Sequence, residues 1–280
     1  MKKLLFFFFL IICPACFGQT FPLSDFTEKT PPAYGTNEWL QCNYQADGFF
    51  VAIKNGELQV SLNKPVGFGF EYMLPEGLLK GVNKFGGALF FKANDSTKQY
   101  YINGKKQSPQ FDHYAENMYF LKHFPLGDKI KPSQLRQLLY LNIFDPYYIF
   151  KYQDSLCVAS ASDFINDNEA GIVSTIDLKG DNFRITTKFN LHDQLIAMKS
   201  QGDTLMFATQ HGFFVFSNNK LEKVFDNLFW FALYPTSIAI ANKNVVYVGI
   251  RGGYVKLDLQ KHETTFYEYK NLKALSTGHK

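Results

Sequence analysis

The chain has 280 residues, 46% of them hydrophobic and 17% aromatic, with 30 Phe and 16 Tyr. This length allows one large domain or two small ones, and this apolar content excludes wholesale disorder. The formal net charge is +4. The longest like-charged block in the body is a basic pair such as Lys105-Lys106, so neither nucleic acid nor anionic lipid is an expected partner.

Lys2 and Lys3 precede a ten-residue apolar run, residues 4–13, which Pro14 ends. This is the pattern of a secretory signal peptide, too short to span a bilayer. It predicts removal of residues 1–18, a new start at Gln19, and export to the periplasm or beyond. A lipid anchor on Cys16 or Cys13 is the alternative. Each cysteine departs from the lipoprotein pattern: Cys13 stands where Leu is usual before Cys16, and bulky Ile12 directly precedes Cys13. No later window holds eighteen apolar residues in a row, so no membrane span is expected in the exported chain. Without Lys2 and Lys3, 27 basic residues face 25 acidic ones, a charge near +2.

Residues 19–38 contain Pro22, Pro31, Pro32 and Gly35 and read as a linker or a closing strand. Residues 39–271 then divide into strand-rich units. The first has strands at 40–44, 49–53, 57–62 and 66–72, with a tight turn at Lys54-Asn55-Gly56. The second has strands at 87–92 and 99–102, followed by the hairpin turn Asn103-Gly104. A third unit, around residues 117–121, is weak. Residues 133–141 are predicted as the one short helix, capped by Ser133 after Pro132, with Leu135, Leu138 and Leu139 on one face. The fourth unit starts at Tyr147, and residues 162–169 expand its hairpin turn. Units five and six have leading strands at 195–198 and 237–240, hairpins at 203–216 and 244–257, and trailing strands at 221–225 and 265–269. Residues 272–280 read as a tail.

The hairpin 244–257 alternates, turns at Gly252-Gly253 and alternates again. The same pattern lies 41 residues upstream at 203–216, and again, ungapped, at 47–60. Four strands in about 40 residues is the arithmetic of a propeller blade. The predicted fold is therefore all-β, a β-propeller of four-stranded blades, with six blades expected and five or seven as alternatives. A sandwich leaves the 41-residue step unexplained, and a solenoid coil is usually shorter. Residues near Leu40 are expected to complete the last blade by pairing with 265–269, which removes free edges.

Two stretches carry a family resemblance. Ala208-Thr209-Gln210-His211-Gly212-Phe213 and Gly249-Ile250-Arg251-Gly252-Gly253-Tyr254 resemble the propeller repeat of sensor domains in hybrid two-component regulators. The resemblance covers about 80 residues well. It implies a fold and leaves the activity open, because propellers host unrelated chemistries. It also implies that the turns between second and third strands share a face. Lys54, Asn55, Asp163, Asp167, Glu169, His211 and Arg251 are then the ligand-binding candidates. The plainer reading is that they are solvated turn residues.

The 162–169 insertion is rich in oxygen donors (Asp163, Asn166, Asp167, Asn168, Glu169), which makes calcium the one cofactor worth naming. It lacks the EF-hand glycine, and Asn and Asp also simply make turns. Asp112, His113 and Glu116 sit in one loop, but neighbours on an extended chain point apart. No zinc spacing, nucleophile elbow or phosphate-binding glycine loop is present. Cys42 and Cys157 fall in units expected to lie opposite one another, so two buried free thiols are predicted. The function that follows is an exported, non-catalytic propeller that binds a protein, peptide or glycan. The alternatives are a polysaccharide hydrolase or lyase using Asp112, His113, Asp163 and Asp167, and a periplasmic inhibitor or immunity protein presenting the 162–169 loop.

Overall fold

The computed structural model describes residues 19–44, 48–62, 69–82, 88–95, 97–106, 138–144, 146–161 and 170–272. The fold is all-β, with five sheets among the described residues, none closed on itself. Strand β1 (Gln19–Phe21), strand β2 (Phe26–Lys29) and helix α1 (Asn37–Asn43) come first. The helix replaces the strand expected at 40–44. Thr36 caps it, its Oγ1 accepting from the Trp39 N–H at 3.3 Å. Trp39 and Cys42, one turn apart, are its buried residues. That i, i+3 apolar pair outweighs the alternation of Leu40, Cys42 and Tyr44.

Strands β3 (Phe49–Lys54) and β4 (Glu57–Leu62) form the hairpin read from the sequence. Asn55 and Gly56 both take positive φ, 54° and 82°, as a two-residue hairpin turn requires. Strand β1 pairs with β4, giving a three-stranded sheet ordered β1-β4-β3.

Strands β5 (Gly69–Leu74), β6 (Gly77–Val82) and β7 (Ala88–Ala93) form a meander in a second sheet. Residues 69–72 were expected to finish the first sheet; they pair with β6 instead. The short hairpin of β8 (Tyr101–Ile102) and β9 (Lys105–Lys106) leaves this sheet and docks elsewhere. Strand β10 (Leu138–Phe144) then returns to pair with β7. Residues 138–141 are thus strand, against the expected helix; residues 133–137 lie outside the described residues. Leu141 and Ile143 are both buried, the period of two that a strand uses.

The third sheet is a meander of β11 (Pro146–Tyr152), β12 (Ser155–Ser160), β13 (Ile172–Lys179) and β14 (Asn182–Asn190). Strand β8 adds to β14 in parallel. The turn Asn103-Gly104 anchors it: Asn103 Oδ1 accepts from Ile185 N, and Gly104 N donates to Asn182 Oδ1, both at 2.9 Å.

The fourth and fifth sheets match the sequence reading most closely. One contains β15 (Leu195–Gln201), β16 (Thr204–Thr209), β17 (Phe213–Ser217) and β18 (Lys220–Phe225). The other contains β19 (Ser237–Ile240), β20 (Val245–Ile250), β21 (Gly253–Asp258) and β22 (Glu263–Tyr269). Their hairpins share one register. Leu205 faces Phe216 where Val246 faces Leu257, and Phe207 faces Phe214 where Val248 faces Val255. Each partner is displaced by the same 41 positions.

The fifth sheet gains a strand from the start of the chain, but not near Leu40. Strand β2 pairs antiparallel with β22, Phe26 opposite Tyr269 and Lys29 opposite Phe266. The residues near Leu40 are helical and cannot take that edge. Phe26, Phe21, Phe49 and Tyr269 interlock with ring centroids 5.0–5.5 Å apart. Burying rings of this size contributes about 2–3 kcal/mol each.

One edge of each sheet packs on the next. Strand β3 packs on β19, β19 on β15, β15 on β11, and β11 on β5 and β6. Gly249 sits where β20 meets β3; a Cβ there would lie 2.1 Å from the Phe49 carbonyl oxygen. Cys42 and Cys157 are both buried and both free thiols. Among the described residues no helix is long and apolar enough to cross a membrane.

Candidate functional site

The link between the fourth and fifth sheets builds the site. Residues 226–236 cross from β18 to β19 and contain a one-turn 3-10 helix, Phe231–Leu233. Leu228 N donates to the His211 carbonyl at 2.7 Å, and Trp230 Nε1 donates to the Thr209 carbonyl at 3.0 Å. Further along, Arg251 N donates to the Leu233 carbonyl at 2.8 Å. The link is thus strapped across the β16–β17 turn and the β20–β21 turn. His211 and Arg251, singled out from the sequence, are held at one end of two neighbouring sheets.

The His211 turn is organised by a residue the sequence reading missed. Asp193, between β14 and β15, is buried. Its Oδ2 accepts from the Thr209 hydroxyl at 2.6 Å and the His211 N–H at 3.0 Å; its Oδ1 lies 3.0 Å from His211 Nδ1. Thr209 Oγ1 in turn accepts from Gly212 N at 3.0 Å. Both Asp193 oxygens and the Thr209 hydroxyl have partners, which a buried carboxylate requires. The pairing orients the imidazole and leaves its Nε2 for other partners. The Thr209-x-x-Gly212 spacing was visible in the sequence. The carboxylate sixteen residues upstream carried no local signal.

The Arg251 turn is organised by α1. Arg251 Nη1 donates to the Asn43 carbonyl at 3.1 Å and to Asn43 Oδ1 at 3.3 Å. Its guanidinium lies 4.6 Å from the Tyr234 ring centroid, a cation–π distance. Gly252 takes φ of 85°, and a Cβ on it would meet Cys42 Sγ at 2.6 Å. Burial, with a smaller contribution from Glu268, pushes the Cys42 thiol up to about 12. Cys42, buried against Gly252, is a packing residue.

Between the two turns runs a band of rings. His211 lies 5.1 Å from Phe231, Phe231 lies 5.3 Å from Tyr34, and Tyr34 lies 4.8 Å from Trp39. Tyr34 is 67% exposed and Tyr234 48% exposed. Trp39 is buried, and its Nε1 has no hydrogen-bond partner among the described residues.

Lys54 and Asn55 do not join this face. Gly48 bridges to Arg251, and β3 then runs away from it for six residues, about 20 Å at ~3.3 Å per residue. The reason is α1. Because it replaces the expected leading strand, β3 becomes the edge strand that packs on β19, and its turn into β4 emerges at the other end. Asp163, Asp167 and Glu169, with the calcium option they carried, lie outside the described residues, as do Asp112 and His113. Among the described residues no group of three His, Cys, Asp or Glu side chains is placed to hold a metal ion.

No protein-family model and no curated protein matches the chain. Among solved structures, the crystal structure of the tricorn protease is similar, at 9% identity and a TM-score of 0.35. That alignment spans 78% of this chain and 26% of the tricorn protease chain.

Proposed function

We propose that this chain is an exported, non-catalytic β-propeller that binds a partner through the face carrying the His211 and Arg251 turns. Three features support the architecture. Five sheets follow one another edge to edge, the fourth and fifth repeat in one register, and a strand from residues 26–29 completes the fifth. Five sheets among the described residues favour the five-bladed alternative over the six expected from the sequence. The leader pattern supports export.

The carrying observation for binding is the ring band. Large aromatic side chains are normally buried, and a cluster of exposed ones marks an interaction surface. Here Tyr34 and Tyr234 are exposed, yet held by Phe231, Trp39 and Arg251. Such pre-ordered rings bind without losing much side-chain entropy. The test is a pull-down from envelope and culture-supernatant extract with the chain from Gln19 onward. Wild type retains a partner that the Tyr34→Ala/Tyr234→Ala double variant loses. Equal retention by both overturns this assignment of the face.

One observation favours a second reading, an enzyme acting on polysaccharide: the Asp193–His211 pair has the geometry of an oriented acid–base imidazole. That reading requires turnover that disappears in His211→Ala and follows a titration curve.

A further inference from the structure

We propose that the ligand of this face is an acidic glycan, a chain of sugars bearing uronate carboxylates, read by Arg251 beside the Tyr234 ring. This rests on the reading of the face as a binding site and specifies its chemistry. Arg251 is positioned before any ligand arrives, by Asn43 on one side and the Tyr234 ring on the other. Among the described residues its guanidinium contacts are one carbonyl, one amide oxygen and one ring, and none is a carboxylate. A half-buried guanidinium held this way has a charge to offer, and its planar fork matches a carboxylate.

The other polar groups point to the same chemistry. Three nearby carboxylates are already engaged among the described residues; Glu268, close enough to raise the Cys42 thiol, lies 4.0 Å from Lys29. Asp193 is held by Thr209 and His211, and Asp226 pairs with Lys223, which holds its carboxyl below the ordinary range. The face thus offers a pre-positioned cation and ring faces, and the acids described near it are taken. A ligand complementary to it is rich in acceptors, negatively charged, and has flat apolar patches to lay on tyrosine. A uronate pyranose has all three: a carboxylate, ring and hydroxyl oxygens, and a C–H face. An acidic peptide supplies the carboxylate but not a regular series of stacking faces.

The test is calorimetric titration of the chain from Gln19 onward with three probes: oligogalacturonate, the same oligomer fully methyl-esterified, and oligoglutamate. Wild type is expected to bind oligogalacturonate at least about tenfold more tightly than the ester. Arg251→Gln is expected to weaken that binding about 10- to 100-fold, the worth of a charge-assisted hydrogen bond. Arg251→Lys guards against a folding artefact: with an unchanged melting temperature it should fall between wild type and the glutamine variant.

Equal affinity for acid and ester overturns recognition of the carboxylate while leaving the face as a glycan site. Oligoglutamate bound as tightly as oligogalacturonate overturns the glycan and leaves the face as a protein site. Unchanged affinity in folded Arg251→Gln overturns the assignment to Arg251. Failure of all three probes, with wild type still retaining a partner that the double tyrosine variant loses, overturns the acidic ligand alone. Failure of both experiments overturns the binding reading itself.

Discussion

The fourth and fifth sheets carry the same hairpin in the same register, yet their turns are finished by different parts of the chain. At Thr209–Gly212 the turn is filled from its own surroundings, by buried Asp193. At Ile250–Gly253 the threonine is replaced by an apolar residue and the histidine position by glycine, and α1 fills the space with Cys42 and Asn43. A repeat therefore fixes backbone and register but not the chemistry of its ends. Ile250 cannot make the hydroxyl bonds of Thr209, so the second turn needs a support that brings its own polar groups.

The two supports can be removed separately. Gly252→Ala should cost most, about 3 kcal/mol, because it adds a side chain at φ of 85° and drives it into Cys42. His211→Ala, at the equivalent position of the other hairpin, should cost less than about 1 kcal/mol. Denaturant unfolding of both variants measures the contrast. Next is Asp193→Ala, which leaves the Thr209 hydroxyl and the His211 N–H without their acceptor. About 2 kcal/mol should be lost. Asp193→Ala combined with Thr209→Val should recover part of that loss in a double-mutant cycle, whereas pairing Asp193→Ala with Gly252→Ala should be additive.

A further effect is a pH dependence to which α1 and the fifth sheet contribute through Cys42 and Tyr254. Burial raises the Cys42 thiol from 9.0 to about 12, and raises the Tyr254 hydroxyl as well. In this window the folded state keeps protons that the unfolded chain releases. Stability should hold below about pH 9 and fall as pH rises from there towards about 12. Between about pH 8 and pH 10 the Cys42 share is about 1 kcal/mol. Urea melts of Cys42→Ala at both pH values should show a correspondingly shallower fall.

The strands of these two sheets were legible in the sequence because apolar alternation and turn residues agree there. Ser237–Ile240 is recovered to the residue, and Lys220–Phe225 within one. The N-terminal region was less legible. Residues 40–44 alternate like a strand, and the cap at Thr36 that decides for helix is a single side chain. Which strand closes a sheet depends on contacts some 240 positions apart, and no local pattern specifies them. The site divides the same way. His211 and Arg251 stand out because they occupy turn positions of the repeat. Asp193 joins them from the link between β14 and β15, and Tyr34, Trp39 and Tyr234 only through the strap and α1. Lys54 and Asn55 matched the same turn position by sequence and were carried to the opposite end by one element that changed type.

The pairing of β2 with β22 also bears on the order of assembly. Residues 26–29 are synthesised some 240 positions before their partners, residues 266–269. Until then Phe26 lacks the Tyr254 and Tyr269 rings it packs against, and the outer edge of β22 does not yet exist. The fourth sheet is a meander of sequence neighbours and can form as it emerges. The fifth sheet waits for two segments some 240 positions apart, so its completion belongs to the slow, long-range part of folding.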